Sequence, residues 1–494
     1  MEVWSILFLL ISVIVLIRVF HGFFFPTRRP TLPPGPFSLP VIGNFQLLFT
    51  SYPDLEDYIT SLHFKFGPLV TLTLGSKKMI FINDASLAHE ALVHNGELFA
   101  NRPVASPVET LISCHQHNIN TSFYGPNWRL LRKNLTSTFR HMSNVWNPVL
   151  QILTQQFYQS GGPVKIYDHL SRAIFFALSL ACFGEEIDCN QVMELRRSVN
   201  AVAVTKYAYL LFDVFPRLAM ILLKRQWEES QKLVKTNQEL LLEFISVRKR
   251  AVFESSVNQN NGVYVDTLLA IELPEEKRKL SDGELVSLCF EFLLAGADTT
   301  ATALHWIFAN LVMHDDVQDK LYAEIERVFG EDAKEIVIEQ RHLKRMKYLR
   351  AVVLETLRLH PPAHFLLPHA VVEDVVLAGH LIPKNGSLHF VVAELGKDPR
   401  VWKEAMEFRP ERFMESEGEV DMTGTKEIKM MPFGAGRRTC PGYGLAMEQM
   451  EYMVANLVWR FQWKEVEGVG VDLSEDRQFT VGMKNPLLAY CIPR

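Results

Sequence analysis

The sequence has no C-x-x-C pair, no G-x-G-x-x-G turn, no Walker loop, no basic tail and no internal repeat. Each absence removes a class of reading. With no metal or disulfide spacing among them, the six cysteines at 114, 182, 189, 289, 440 and 491 read as free thiols, most of them small and buried. With no dinucleotide or nucleoside-triphosphate fingerprint, the chain carries no visible means of binding its own nucleotide. A formal charge of −5 without an Arg-rich block gives no support to nucleic-acid binding. What remains is an ordinary folding composition, 48% apolar and 22% charged, which excludes general disorder.

One stretch departs from that average. Residues 3–20 are apolar apart from Ser5, Ser12 and Arg18. At about 1.5 Å of helical rise per residue they approach the roughly 30 Å of a bilayer core. No small-residue cleavage site follows; the chain runs into His21, Phe23, Phe24, Phe25 and Pro26, so residues 1–22 are expected to be a retained anchor. Arg18, Arg28 and Arg29 flank its far side and Glu2 alone precedes it, which places the bulk of the chain in the cytosol. Pro30, Pro33, Pro34, Pro36 and Pro40, with Gly35 and Gly43, make residues 23–45 a stiff hinge, and 46–494 the catalytic domain.

Period and punctuation give the elements. Residues 68–74 and 78–83 are β-rich runs joined across Gly75-Ser76, a predicted hairpin. Ser281-Asp-Gly-Glu284 fits a capping box, and a long apolar helix is predicted over 285–313. A second helix is predicted over 343–359, stopping at Pro361-Pro362, and a third from Pro441. Residues 371–392 read as short strands, and 255–262 and 415–421 as surface loops. The expected class is mainly α with a small β region, one globular unit behind the anchor.

Cys440 stands apart from the other cysteines. In Phe433-Gly-Ala-Gly-Arg-Arg-Thr-Cys-Pro-Gly442, three glycines and a proline crowd a thiol just before a helix. Pro441 suits the first helical position, which puts Cys440 near the N-cap, where backbone donors and the helix dipole favour the thiolate. Gly436 permits a tight turn with positive φ, Gly442 lets backbone lie close to a flat ligand, and Arg438 is placed to meet an anion. The pattern Phe-x-x-Gly-x-Arg-x-Cys-x-Gly, complete at Phe433, Gly436, Arg438, Cys440 and Gly442, resembles the haem-binding signature of the cytochrome P450 family. The resemblance implies that Cys440 is the axial ligand of the iron of haem b, whose electron donation favours O–O cleavage. It also implies the cytochrome P450 fold, a helical prism with a smaller β region.

Other motifs match in order. Glu355-Thr-Leu-Arg358 is similar to the family's E-x-x-R, with both charges on one face of an apolar helix, and Arg412 resembles the third, structural member of that set. Ala295-Gly-Ala-Asp-Thr-Thr300 lies midway along the long apolar helix, where Gly296 opens space and the Thr299 hydroxyl can disturb the hydrogen-bond ladder. It resembles the family's oxygen-activation motif, which implies that Thr299 stabilises bound oxygen and Asp298 relays protons. Trp128-Arg-Leu-Leu-Arg132 is similar to the family's W-x-x-x-R, which implies that Trp128 and Arg132 hold haem propionates. His369 stands where the family has a basic residue, commonly Arg, for the other propionate.

The likeness covers nearly the whole chain and looks most like microsomal enzymes of plants. It implies a monooxygenase of the endoplasmic reticulum membrane that takes O2 as co-substrate and electrons from a membrane NADPH–haemoprotein reductase. Asp298-Thr299 argues against a relative that rearranges its substrate without O2. Arg129, Arg132, Lys133, Arg140 and Arg437 are expected to form a basic docking face for that reductase. Phe290, Leu293, Leu294, Phe365, Leu366, Leu367, Thr480 and Val481 suggest a hydrophobic substrate, and apolar residues 209–223 a segment that dips into the membrane.

Overall fold

The computed structural model describes residues 30–494 except 40–41, 45, 48–49, 140–141, 143–144, 185–186, 208–211, 213, 255–262, 330–336, 385 and 416–419. The expected anchor, the start of the hinge and the 255–262 loop therefore lie outside the described residues. Helix α1 (Tyr52–Phe66) leads into strands β1 (Leu69–Leu74) and β2 (Lys77–Ile82). Helices α2 (Pro126–Thr138), α3 (Trp146–Gln159), α4 (Ile166–Phe183), α5 (Cys189–Tyr207) and α6 (Lys224–Glu254) follow. Next come α7 (Asp282–Met313), α8 (Asp315–Phe329), α9 (Lys347–Leu359) and strand β3 (Gly386–Phe390). The chain closes with α10 (Tyr443–Arg460) and strands β4 (Phe461–Glu465), β5 (Glu475–Arg477), β6 (Val481–Met483) and β7 (Leu488–Pro493). Mainly α with a small β region is what the sequence implies.

The β part forms where the alternating runs were expected. β1 and β2 pair antiparallel from Leu69↔Ile82 to Leu74↔Lys77 across the Gly75-Ser76 turn, and β3 adds to β2 in parallel. β7 pairs with β4 on one side and with the two-residue strand Val164–Lys165 on the other. The proline hinge is stitched to β1: Thr71 N–H donates to Pro34 O at 2.8 Å, and a side chain at Gly35 would strike Thr71 O.

Helix α7 is the centre of the molecule. Its start is the capping box, with the Ser281 hydroxyl accepting from Glu284 N–H at 3.3 Å and the Glu284 carboxylate accepting from Ser281 N–H at 2.7 Å. Its sides pack chiefly on α4, then on α6, α9 and α10. Both α4 and α7 are long and apolar enough to cross a bilayer, but here they are the buried core.

Two helix starts differ from the sequence expectation. The helix predicted from 343 is a short turn, Gln340–Leu343, then a break, then α9 from Lys347. The reason is a long-range cap: Glu324 on α8 accepts the N–H groups of Tyr348 and Leu349, each at 2.9 Å, and so fixes where α9 begins. The helix predicted from Pro441 begins at Tyr443 with Gly442 as its N-cap, so Cys440 lies two residues before the cap.

Inside α9 the E-x-x-R pair is fully buried, with both side chains at 0% exposure. Arg358 donates to Glu355 at 2.7 and 2.8 Å and to the carbonyls of Gly396, Ala405 and Glu407 at 2.6–3.1 Å. Arg412 Nε reaches Glu355 at 3.0 Å and its other nitrogens bond Lys403, Glu404 and Glu407 carbonyls. A carboxylate shared by two buried guanidiniums is costly to remove, because both cations are left uncompensated. Glu355→Gln is therefore expected to lower unfolding free energy by about 3–5 kcal/mol in urea titrations. Lys224→Gln, which breaks an exposed i,i+4 pair with Glu228, should change it by about 0.5 kcal/mol or less.

Candidate functional site

The loop before α10 is shaped by its glycines. Gly434 and Gly436 have φ of +70° and +68°. A side chain at Gly436 would place its Cβ 1.8 Å from Leu92 O, so glycine is required there both by backbone conformation and by close approach. Gly442 meets nothing closer than Cys440 Sγ at 3.8 Å and Phe139 at 3.9 Å, so its missing side chain leaves open the flank of the thiol. Cys440 N–H donates to Phe433 O at 2.8 Å, closing the loop, and the Phe433 ring packs edge-on against Tyr443 at 5.0 Å.

Burial pushes the Cys440 thiol up, against the expectation that the helix start favours the thiolate outright. The N–H groups of Gly442 and Tyr443 and the Arg132 charge oppose that rise without overcoming it. A cation at Sγ is what would complete the shift toward thiolate.

Three guanidiniums gather beside this loop. Arg438 donates to the carbonyls of Ala100, Ile119 and Ser122 at 2.7, 3.1 and 2.6 Å and stacks over the Trp128 ring at 4.4 Å. Arg132 lies over the same ring at 5.4 Å, and Trp128 Nε1 donates to Ile119 O at 3.0 Å. Arg102, which the sequence reading did not single out, is buried and donates to Asn120, Leu367 and Pro368 carbonyls, each at 2.8 Å. Among the described residues none of the three forms an ion pair with a carboxylate. Burial, followed by Arg102 and Arg132, pushes Arg438 down to about 8, and burial pushes Arg102 to about 10. A guanidinium does not give up its proton in a protein, so the cluster instead favours a bound anion.

His369 is buried beside them and its pKa is held well below the usual range, first by burial and then by Arg102. Its Nδ1 lies 2.7 Å from Phe99 O, which fixes the neutral tautomer with Nδ1–H donating and Nε2 accepting. A carboxylate would have to be matched by proton uptake on Nε2, so His369 is a weaker anion contact than Arg.

On α7, Ala295 is exposed and Leu294, Gly296, Asp298 and Thr299 are partly so, in the middle of a helix whose flanks are buried. The Thr299 hydroxyl donates to Ala295 O at 2.6 Å and so competes with the ladder there, as expected. Gly296 does something else than expected. It opens no space: an added Cβ would lie 2.9 Å from Leu178, so glycine here lets α4 approach α7 closely. Asp298 turns toward α4, where Tyr167 donates to Oδ1 at 2.9 Å. Tyr167 was also invisible in the sequence. The thiol loop and this turn are linked through rings, Gly442 facing Phe139 and Phe139 stacking on Phe292 at 6.4 Å.

Other expected site residues separate into groups. Glu355, Arg358 and Arg412 are brought together, but as the packed set described above. Arg129, Lys133 and Arg437 are exposed, Arg132 is turned inward toward Cys440, and Arg140 lies outside the described residues. Phe290 and Leu293 are core residues rather than lining, and Val481 is buried with its carbonyl on Trp306 Nε1 at 3.0 Å. Phe365, Leu366 and Leu367 remain partly exposed.

A thiol at a helix start, an uncompensated cationic cluster and a partly uncovered turn of α7 fit a flat, dianionic, metal-bearing group such as haem. The family model described as Cytochrome P450 matches residues 33–492. The chain is 43% identical to Cytochrome P450 89A9 of Arabidopsis thaliana over 100% of both chains. It is 29% identical to Isoflavone 3'-hydroxylase of Medicago truncatula, over 94% of this chain and 93% of that one. Its fold is similar to that of a solved zebra fish cytochrome P450 with progesterone, at a TM-score of 0.76 and 21% identity, covering 89% of this chain and 99% of that one. The chain belongs to the cytochrome P450 family and is a monooxygenase.

Proposed function

We propose that the protein is a membrane-anchored haem-thiolate monooxygenase that inserts one atom of O2 into a hydrophobic organic substrate, with electrons from an NADPH-dependent reductase. The observation that carries this reading is the cluster of Arg102, Arg132 and Arg438 beside the Cys440 thiol, without an ion-pairing carboxylate among the described residues. Haem b, when bound, supplies oxygen binding and insertion. Cys440 would hold its iron through Sγ. Arg102, Arg132, Arg438 and Trp128 would hold its carboxylates, with His369 as an auxiliary contact. Thr299 spends its hydroxyl proton on Ala295 O, which leaves its oxygen lone pairs to accept from a donor on the uncovered side of α7. Asp298, steadied by Tyr167, passes protons toward that side.

Residues 1–22 act in this reading as a single-pass anchor in the endoplasmic reticulum membrane, with 23–45 as hinge and 46–494 as the cytosolic catalytic domain. The helix Pro216–Leu222 supports it, exposing Leu218, Ile221 and Leu222. Gly75 touches both the hinge and the start of that helix: its N–H donates to Ile42 O, and a side chain there would press on Phe215, the N-cap of the helix. An apolar surface shared by the hinge and this helix suits a lipid interface. Arg129, Lys133 and Arg437 supply the exposed charge for reductase docking.

Cys440→Ser is expected to abolish the thiolate-type spectrum of the reduced carbon monoxide complex; survival of that spectrum overturns the assignment. Thr299→Ala should keep that spectrum and continue to oxidise NADPH with peroxide release, while oxygenation of any substrate found by haem spin-shift screening falls about ten- to a hundred-fold. Reductase-supported haem reduction should slow steeply as salt rises and exposed charges are screened. A rate indifferent to ionic strength removes the docking face.

A further inference from the structure

We infer that Glu291 is a positioning residue for the haem carboxylate clamp, fixing through two backbone N–H groups the peptide segment on which the clamp's side chains are seated. The inference rests on the haem reading above. Glu291 lies on α7 two turns before Asp298 and is buried, at 6% exposure. Ile119 N–H donates to its Oε1 at 2.7 Å and Asn120 N–H to its Oε2 at 3.0 Å. A carboxylate that grips two adjacent amides sets the orientation of both peptides, and charge makes each bond stronger than a neutral one.

The carbonyls of those same two residues carry the clamp. Ile119 O accepts from Trp128 Nε1 at 3.0 Å and from Arg438 Nη1 at 3.1 Å, and Asn120 O accepts from Arg102 Nε at 2.8 Å. Three side chains, two from flanking sequence and Arg438 from 319 residues away, thus hang on one dipeptide. The Glu291 charge also acts favourably on Arg438 and offsets part of the repulsion among the guanidiniums.

The segment has reason to need such an anchor. Just upstream, Cys114, His115 and Gln116 have consecutive φ values of 48°, 60° and 64°, left-handed backbone that L-residues adopt at a cost. His117 is held in turn by Glu284, one more carboxylate of α7, at 2.8 Å. Left to itself the stretch would relax, and the carbonyls under the clamp would move with it.

The test is haem release from purified holoenzyme to excess apomyoglobin, followed by absorbance and needing no substrate. Glu291→Gln keeps the size but presents an N–H2 toward amide donors and removes the charge. It should release haem about ten- to a hundred-fold faster than wild type, while a carbon monoxide spectrum dependent on Cys440 is retained by the loaded fraction. Glu291→Asp, which keeps the charge on a shorter stem, should lie between the two, and it carries the comparison if Glu291→Gln does not fold. Asp266→Asn is the control, since it breaks an equally buried bidentate pair with Arg248 that touches no part of the clamp. Release from the Glu291 variants no faster than from wild type or from Asp266→Asn overturns the role of Glu291. Wild-type protein that binds no haem, or whose haem spectrum ignores Cys440→Ser, overturns instead the reading on which it rests.

Discussion

Arg358 has five N–H groups, and the protein uses all five: two on Glu355 and one each on the carbonyls of Gly396, Ala405 and Glu407. A guanidinium held this way inside an apolar helix cannot move without leaving donors and charge unpaired. Its carbonyl partners all lie in the 396–407 stretch, and Glu355 also takes Arg409 N–H at 2.8 Å and Arg412 Nε at 3.0 Å. The irregular chain that leads into the cysteine loop is therefore tied to α9 by one buried charge set. Without that tie the loop would have no fixed base, and the position of Cys440 relative to α7 would be undefined.

The second group of buried guanidiniums makes the contrast. Hydrogen bonding and charge are separate requirements, and Arg102 and Arg438 meet the first through neutral carbonyls, without a carboxylate in direct contact. Around Arg358 the protein supplies the carboxylate itself, which makes the set complete and inert. Around Arg438 no carboxylate among the described residues forms an ion pair, and Glu291 acts on it only at a distance, so the surroundings favour an anion. The same residue type thus completes a packed set in one place and favours an anion in the other. The difference is the nearness of a single carboxylate oxygen.

The cysteine loop, the Glu355-Arg358 pair, the Thr299 turn and the capping box are legible in the sequence because each is local, with the spacing itself fixing the geometry. The residues that escape notice act at long range. Arg102 sits in an unremarkable Asn-Arg-Pro run and joins this cluster only because the chain brings Leu367 and Pro368, 265 and 266 residues later, beside it. Tyr167 and Glu291 look like ordinary members of their helices until the fold places Asp298 and the 119–120 peptides against them. The start of α9 is misplaced for the same reason, since its cap is on another helix. Gly296 teaches a different lesson: a glycine in a helix signals close approach, but the sequence does not say whether a ligand or another helix approaches. Leu178 answers that here.

Helix α7 is where several of these long-range contacts converge. Glu284, Glu291, Asp298 and His305 recur every seven residues, two turns less about 20°, and so form a slowly winding polar stripe on an otherwise apolar helix. Each takes its partners from outside the helix: Glu284 from His117 and Arg278, Glu291 from the adjoining 119–120 peptides, Asp298 from Tyr167 on α4, His305 from Leu487. Arg278, with Ser281 and His117, holds the buried Glu284 carboxyl down to about 2, so it stays ionised, while burial pushes His305 down to about 4, so its neutral Nε2 accepts the Leu487 N–H at 2.9 Å. A helix fixed at four points two turns apart can neither rotate nor slide without breaking several bonds at once. That matters most at Thr299, whose hydroxyl weakens the ladder at Ala295. The turn from Ala295 to Thr299 can stay partly uncovered because the helix on either side of it is locked, by Glu291 before it and His305 after it.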